Sequence, residues 1–316
     1  MPSFGDLNRV NTNIQSLDSQ YSLNRINSDI AENQLKMSTG KRINRAEDDS
    51  AGYSIATKLR SRVGGLNQAM QNVGDAKSVL DIAEASYSTV MDSLVEMKSL
   101  ATQAANDSLG DTERGFIGDQ IEALGDDINE VANQTVYQDY ELLNGEETGM
   151  TGSLSLEFQV GERKSDTITT SINAVNVGEL FNQGGGATAN LGATGSTTAI
   201  QADSASTSGS GQGGLTFAST ATSADYREFI SAVDSAINTM SENVNDIGIT
   251  QSSLSVREET LSQSISANEA AKSRIMDTDF AKAQSESVRL QILQQTATSS
   301  LAQANNGPQS VLGFIG

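Results

Sequence analysis

Apolar residues step along the first third of the chain by alternating threes and fours. Leu66, Ala69, Val73, Ala76, Leu80, Ala83, Tyr87, Val90, Leu94, Met97, Ala101 and Ala104 keep this rhythm over about five heptads. Such spacing lines up one apolar seam on a straight helix of about 58 Å, at about 1.5 Å per residue. A second helix is predicted by Phe116, Ile117, Ile121, Leu124, Ile128 and Val131. The break before it, 106–111, holds the Asn, Asp, Ser and Gly of a turn, and Asp111 or Thr112 is placed to cap this second helix. The pattern returns in Phe229, Val233, Ile237, Met240, Val244, Ile247 and Leu254. Three helices with such seams pack as a coiled-coil-like bundle, each fully buried Leu, Val or Met contributing roughly 1.5–3 kcal/mol.

The ends of the chain are weaker versions of the same pattern. Leu7, Val10, Ile14, Leu17 and Tyr21 make one seam, and Val288, Ile292, Leu293 and Leu301 part of another, both diluted by Asn, Gln, Ser and Thr. Helices this polar are marginal alone in water, so these ends are expected to need a partner surface and to fold on assembly. In the centre the period changes to two. Leu154, Leu156, Phe158 and Val160, then Ile168, Thr170 and Ile172, alternate with polar residues around a turn at 161–165, which predicts one β-hairpin. The stretch 183–222 is rich in Gly, Ser, Thr and Ala with few apolar anchors, and is expected to form a loop or a small, loosely built lobe. The fold class is therefore mainly α: a long antiparallel helical bundle with coiled-coil-like termini, one β-hairpin and a short low-complexity outer segment.

Composition narrows the function. The formal charge is −20, from 40 acidic and 20 basic residues. That balance opposes nucleic acid and anionic membrane surfaces as partners, because both require Lys and Arg in excess. Its plainer meaning is a solvated helix surface. Only 4% of residues are aromatic and there is no Trp, which suits long helices packed side by side. The sequence has no Cys and no His, so it lacks thiol chemistry, the commonest metal ligand and the commonest general base. No catalytic, cofactor or metal site is expected, and the protein is read as not being an enzyme. No apolar run approaches a membrane span, and residues 1–9 do not read as a secretory signal peptide. Gly40-Lys41 lacks the spacing of a phosphate-binding loop. Asp277, Asp279 and the acidic 125–127 stretch lack the spaced ligands of a calcium loop. Gly184–Gly186 reads as a spacer, and the glycosylation-like triplets at Asn106 and Asn133 as chance matches.

Two motifs carry more information. The stretch MSTGKRINRAEDDSAG at 37–52, with VNTN at 10–13, closely resembles the N-terminal signature of bacterial flagellins. SRIMDTDF at 273–280 resembles their C-terminal signature, continued by QIL at 291–293, LAQAN at 301–305 and PQSVL at 308–312. The resemblance covers residues 1–172 and 225–316. It implies a structural subunit that polymerises into the flagellar filament for swimming motility; a hook–filament junction protein or an adhesive filament subunit is the alternative. Metallopeptidase versions need a His-Glu-x-x-His pair, which a chain without His cannot supply. The implied partners are further copies of the chain, a flagellar export chaperone, the filament cap and the hook–filament junction proteins. The implied location is extracellular, in the flagellum, reached unfolded through the flagellar export apparatus. A chain threaded through a channel should not be cross-linked, which accounts for the missing Cys.

The resemblance also implies an organisation. Residues 1–44 with 276–316 form inner-tube terminal helices. Residues 45–176 with 224–275 form a helical outer-tube domain carrying the hairpin at 153–172, and 177–223 form a variable, solvent-facing segment. Leu7, Val10, Ile14, Leu17, Leu290, Leu293 and Leu301 are the candidates for inter-subunit packing. Arg42, Asp48 and Asp49, within a charged connector, are the candidates for lateral register. The segment 94–106 matches one that a Toll-like innate receptor recognises in some flagellins. Leu100 and Gln103 match it, but Glu96 stands where recognised flagellins commonly carry Arg, and 251–254 reads Gln-Ser-Ser-Leu in place of Gln-Asn-Arg-Leu. Charge reversal at an interface is costly. Purified protein is expected to activate such a receptor only weakly, and strong signalling in a reporter cell would refute this.

Overall fold

The computed structural model describes residues 12–138, 140–144, 153–181, 188–191, 199–203 and 213–315. Its helices are α1 (Ile14–Thr39), α2 (Ser50–Ala104), α3 (Asp111–Gln134), α4 (Val177–Phe181), α5 (Ser223–Met276) and α6 (Phe280–Ile315). Two compact units can be separated: residues 1–64 with 265–316 (unit 1), and residues 65–264 (unit 2).

In unit 2 the predicted seam of α2 is the core. Each of its residues from Leu66 to Ala104 is buried, and from Val73 onward they are wholly shielded from water. The seam faces α5, where Phe229, Val233, Met240, Ile247, Leu254 and Leu261 are buried at matching spacing. Lys77 meets Glu258 at 2.8 Å and Lys98 meets Asp234 at 2.5 Å, so the two helices run antiparallel. These ion pairs flank the seam and are partly exposed, so they set register more than they add stability. At its start α5 is tied down by Asp225: its buried carboxylate accepts from the Thr222 backbone N–H at 2.8 Å and from the Thr222 hydroxyl at 2.7 Å.

The second predicted helix forms, with two differences. Phe116 is 61% exposed rather than part of the seam. The buried stripe runs through Arg114, Ile117, Ile121, Ile128 and Ala132, and Phe116 lies about 100° round the helix from Ile117, off that stripe. The cap position is held by Gly110 and not by Asp111 or Thr112. Asp111 instead lies in the first turn, where its charge suits the helix dipole, and pairs with Arg114 at 3.1 Å. Buried Arg114 closes the α2–α3 turn by donating to the carbonyls of Ala104, Asn106 and Leu109.

The hairpin appears as β3 (Ser153–Gln159) and β4 (Thr167–Asn173), with β1 (Val136–Tyr137) and β2 (Tyr140–Glu141) as a smaller pair before it. Its antiparallel register sets Leu154 opposite Ile172, Leu156 opposite Thr170 and Phe158 opposite Ile168, one face of the sheet. Specific polar contacts dock it on both long helices. The Tyr87 hydroxyl donates to the Asn173 carbonyl at 2.7 Å, Asn72 Nδ2 to the Gln159 carbonyl at 3.0 Å, and Asn173 Nδ2 to Asn243 Oδ1 at 2.7 Å.

The described part of the central stretch is better organised than its composition suggests. Much of 183–222 lies outside the described residues, but the rest forms a three-stranded antiparallel sheet in the order β5 (Thr188–Asn190), β6 (Ile200–Asp203), β7 (Leu215–Phe217). Its few anchors, Leu191, Ala199, Ile200, Ala202 and Leu215, are all buried. They are supported by α4 and by α3, where Gly118 lets Phe217 approach so closely that an added Cβ would lie 3.0 Å from the Phe217 Cβ. Phe181, Phe217, Tyr226 and Phe229 form one aromatic cluster with ring centroids 5.4–5.8 Å apart, so scarce aromatics are concentrated here.

Seam and surface positions should respond very differently. Leu94→Ala removes a fully buried side chain and is expected to destabilise the protein by about 2–5 kcal/mol. Val95→Ala, at a position 55% exposed, should stay within about 0.5 kcal/mol of wild type. Urea unfolding of both variants, followed by circular dichroism, checks the contrast.

Candidate assembly interface

Unit 1 pairs α1 with α6. The side of α1 facing α6 runs through Ser16, Ser19, Leu23, Ile26, Ile30, Asn33 and Met37, and the side of α6 facing α1 through Ala283, Ser287, Leu290, Gln294, Ala297, Leu301 and Ala304. Both stripes keep the 3-4 spacing, but eight of their fourteen members are polar or small. Only Asn33, Ala283 and Leu290 are buried, the rest half-buried. Amide side chains fill the gap in apolar contact. Asn33 Nδ2 donates to the Ala283 carbonyl at 2.9 Å, Gln294 Nε2 to Asn27 Oδ1 at 2.8 Å, and Asn13 Nδ2 to the Ala304 carbonyl at 2.8 Å. The same Asn13 caps α1 by accepting from the Ser16 N–H.

Each of these helices also carries apolar residues that no described part of the chain covers. On α1, Ile14, Leu17 and Tyr21 are 38%, 57% and 71% exposed; on α6, Phe280, Val288, Ile292 and Leu293 are 58%, 47%, 60% and 42% exposed. The seven candidates for inter-subunit packing therefore divide. Ile14, Leu17 and Leu293 belong to the uncovered set. Leu290 is buried and Leu301 half-buried inside the chain's own helix pair, so Leu290 has no surface left to offer a neighbour. Leu7 and Val10 lie outside the described residues. The sequence-level seam at Ile14, Leu17 and Tyr21 is thus not the one that the chain buries in itself. The internal seam was legible in the spacing of Leu23, Ile26, Ile30 and Met37, but the intervening Ser and Asn residues mask it.

The connector between α1 and α2 is shaped by its own charges. Gly40 ends α1 at φ 68°, a backbone state that glycine adopts without strain. The chain then pairs with the end of α5: Arg42 N–H donates to the Met276 carbonyl at 2.6 Å and Thr278 N–H to the Gly40 carbonyl at 3.0 Å. Ile43 is buried beneath. The three lateral-register candidates all have partners inside the chain. Arg42 donates a guanidinium N–H to the Ile275 carbonyl at 2.8 Å. Asp48 accepts the backbone N–H groups of Asn44 and Arg45 at 2.8 and 2.9 Å, and Asp49 that of Gly52 at 2.9 Å. The two backbone donors hold the Asp48 carboxyl below the usual carboxylate range. On α2, Glu96 and Gln103 are exposed and Leu100 is half-buried. On α5, Leu254 is buried, and Gln251 donates to Asp81 and Glu84.

Among the described residues no His, Cys, Asp or Glu group could hold a metal ion, and no helix is long and apolar enough to cross a membrane. What the described surface offers is a pair of helices with uncovered apolar side chains.

Comparison with known proteins agrees. The bacterial flagellin N-terminal helical region matches residues 10–148, and the bacterial flagellin C-terminal helical region matches residues 230–315. The flagellin of Bacillus subtilis is 32% identical, over 97% of this chain and 99% of that protein. The flagellar filament 41 kDa core protein of Borreliella burgdorferi is 29% identical over the same shares. A solved structure of a putative flagellar hook-associated protein from Vibrio parahaemolyticus covers 73% of this chain and all of its own, at TM-score 0.53 and 16% identity, which shows a shared fold. The chain belongs to the bacterial flagellin family. It is a structural subunit of the flagellar filament.

Asp48 makes the connector acid-sensitive in a defined direction. Its depressed pKa means that its contribution is present above the ordinary aspartate value of about 3.9 and is lost as pH falls through the lower folded value. The Asn44 and Arg45 amide resonances should shift with a midpoint below that of an ordinary aspartate. A midpoint at or above it would contradict the connector geometry.

Proposed function

We propose that the uncovered apolar residues of α1 and α6 are buried between copies of the chain, and that this burial drives filament growth. The observation that carries the reading is the coexistence of two stripes on each helix. One is already covered within the chain, and the other, Ile14, Leu17 and Tyr21 with Val288, Ile292 and Leu293, is not. Burying each such side chain is worth roughly 1.5–3 kcal/mol. A helix pair that is barely apolar within the chain gains its stability on association, so folding of the ends and assembly are coupled. Because the stripe on one copy meets a different surface on the next, the contact does not close and the polymer stays open.

A finer organisation accompanies this reading. Residues 1–44 with 276–316 line an inner tube, 45–176 with 224–275 surround it, and 177–223 face solvent. Arg42, Asp48 and Asp49 serve lateral register by holding the connector in one shape. Export proceeds unfolded through the flagellum's own channel, with a chaperone, the cap and the junction proteins as partners, and the subunit works extracellularly without catalytic activity. The absence of Cys and the polar ends support that route. Glu96, exposed on α2, supports weak recognition by an innate receptor.

Electron cryo-microscopy of seeded assemblies tests the reading. Wild type should form micrometre-long tubes lined by α1 and α6. Leu17→Asp and Ile292→Asp should abolish elongation while leaving the unfolding curve of the monomer unchanged. Elongation by both variants at the wild-type rate would overturn the assignment of the stripe.

A further inference from the structure

Unit 1 contains a concave site whose charge opposes that of the whole chain. Tyr53 and Arg60 lie two helical turns apart on one face of α2, Lys272 approaches from α5, and the backbone bridge between Lys41 and Asp277 closes the end, around a cavity of about 160 Å³. Lys41 and Arg60 form no ion pair among the described residues. Lys272 reaches Glu269 only at 3.5 Å, and the Asp277 carboxylate accepts from the Ser273 hydroxyl at 2.6 Å. Three basic residues thus line one recess with one acidic residue, on a chain of formal charge −20. Cations gathered in a recess repel one another and attract an anion.

The same unit presents a carboxylate of the required kind. Of the three acids in the connector, Asp48 and Asp49 are held by backbone N–H groups. Glu47 is not. Its side chain is 70% exposed and, among the described residues, pairs with Arg45, itself 68% exposed, at 2.9 Å. So exposed a pair is readily exchanged for a better partner.

We propose that, in the polymer, Glu47 of one copy enters the Lys41–Arg60–Lys272 pocket of another. The proposal rests on the filament reading above and adds a charge lock to it. Glu47 and the pocket are different places on unit 1, so the contact is heterologous and repeats along an open polymer. It offsets the mutual repulsion of strongly acidic subunits and selects one register among those the apolar stripes alone would allow.

A charge swap in the full chain tests this by the critical concentration for elongation from wild-type seeds or from each variant's own seeds. Glu47→Lys and Arg60→Glu should each raise it about tenfold or more, since each places like charges together. The neutral Glu47→Gln and Arg60→Gln should raise it less. The double variant E47K/R60E, on its own seeds, should return close to wild type. Both positions are exposed, and unchanged thermal unfolding of the monomers verifies that folding is intact. Unchanged critical concentrations in the single variants, or a double variant as impaired as the singles combined, would overturn the lock while Leu17→Asp still blocks growth. Failure of wild type itself to elongate would instead remove the reading of the terminal stripes, and the lock with it.

Discussion

A straight α-helix can turn only one narrow stripe toward a given neighbour, and both units of this protein are organised by that constraint. In unit 2 the stripe on α2 is continuous and apolar, and α5 supplies the matching side. The other described elements of the unit build outward from that pair. The hairpin hangs from Tyr87, Asn72 and Asn243, α3 is locked at its start by Arg114, and the outer sheet rests on α3 through the close approach at Gly118. Tyr87 shows how strict the arrangement is. It is a member of the apolar seam, yet its hydroxyl is satisfied by the hairpin's Asn173 carbonyl, and burial pushes its pKa upward.

Unit 1 meets the same constraint differently. Its helices have enough small and polar residues on their shared side that the pair is held as much by amide hydrogen bonds as by apolar contact. Their remaining apolar residues lie elsewhere on the helix surface. A chain that must be a stable subunit and also a polymerising one can divide the two tasks in this way. The well-packed seam lies in unit 2, and in the proposed assembly the uncovered stripe of unit 1 is what another copy covers. The connector adds a polar component. Arg42, Asp48 and Asp49 satisfy its backbone, which leaves Glu47 and the three pocket cations as the charges with least to do inside one chain.

Legibility followed the strength of periodicity. The α2 seam could be read residue by residue, because twelve apolar positions in strict alternation leave one solution for a helix. The hairpin was legible because period two is distinct from period 3.6. Phe116 misled because a large apolar side chain next to a seam counts as part of it until the angle is considered. The outer sheet was not legible: its strands are three or four residues long and their anchors are spread over a Gly- and Ser-rich stretch. In α1 two candidate stripes coexist, and spacing alone does not say which one the chain uses for itself.

The sequence by itself determined the helix class, the antiparallel seam, the hairpin and the absence of thiol or imidazole chemistry, since each depends on local spacing or on residue type. Only the tertiary structure decided which terminal stripe is covered, which connector carboxylates are engaged and where the basic pocket forms. The stripe and the pocket depend on contacts between positions more than 200 residues apart, such as Asn33 with Ala283 and Arg42 with Ile275, whereas the carboxylates are engaged by groups two to four residues away once the connector has taken its shape. No local pattern records such a pairing, because the energy that selects it arises only once both segments are folded and facing each other.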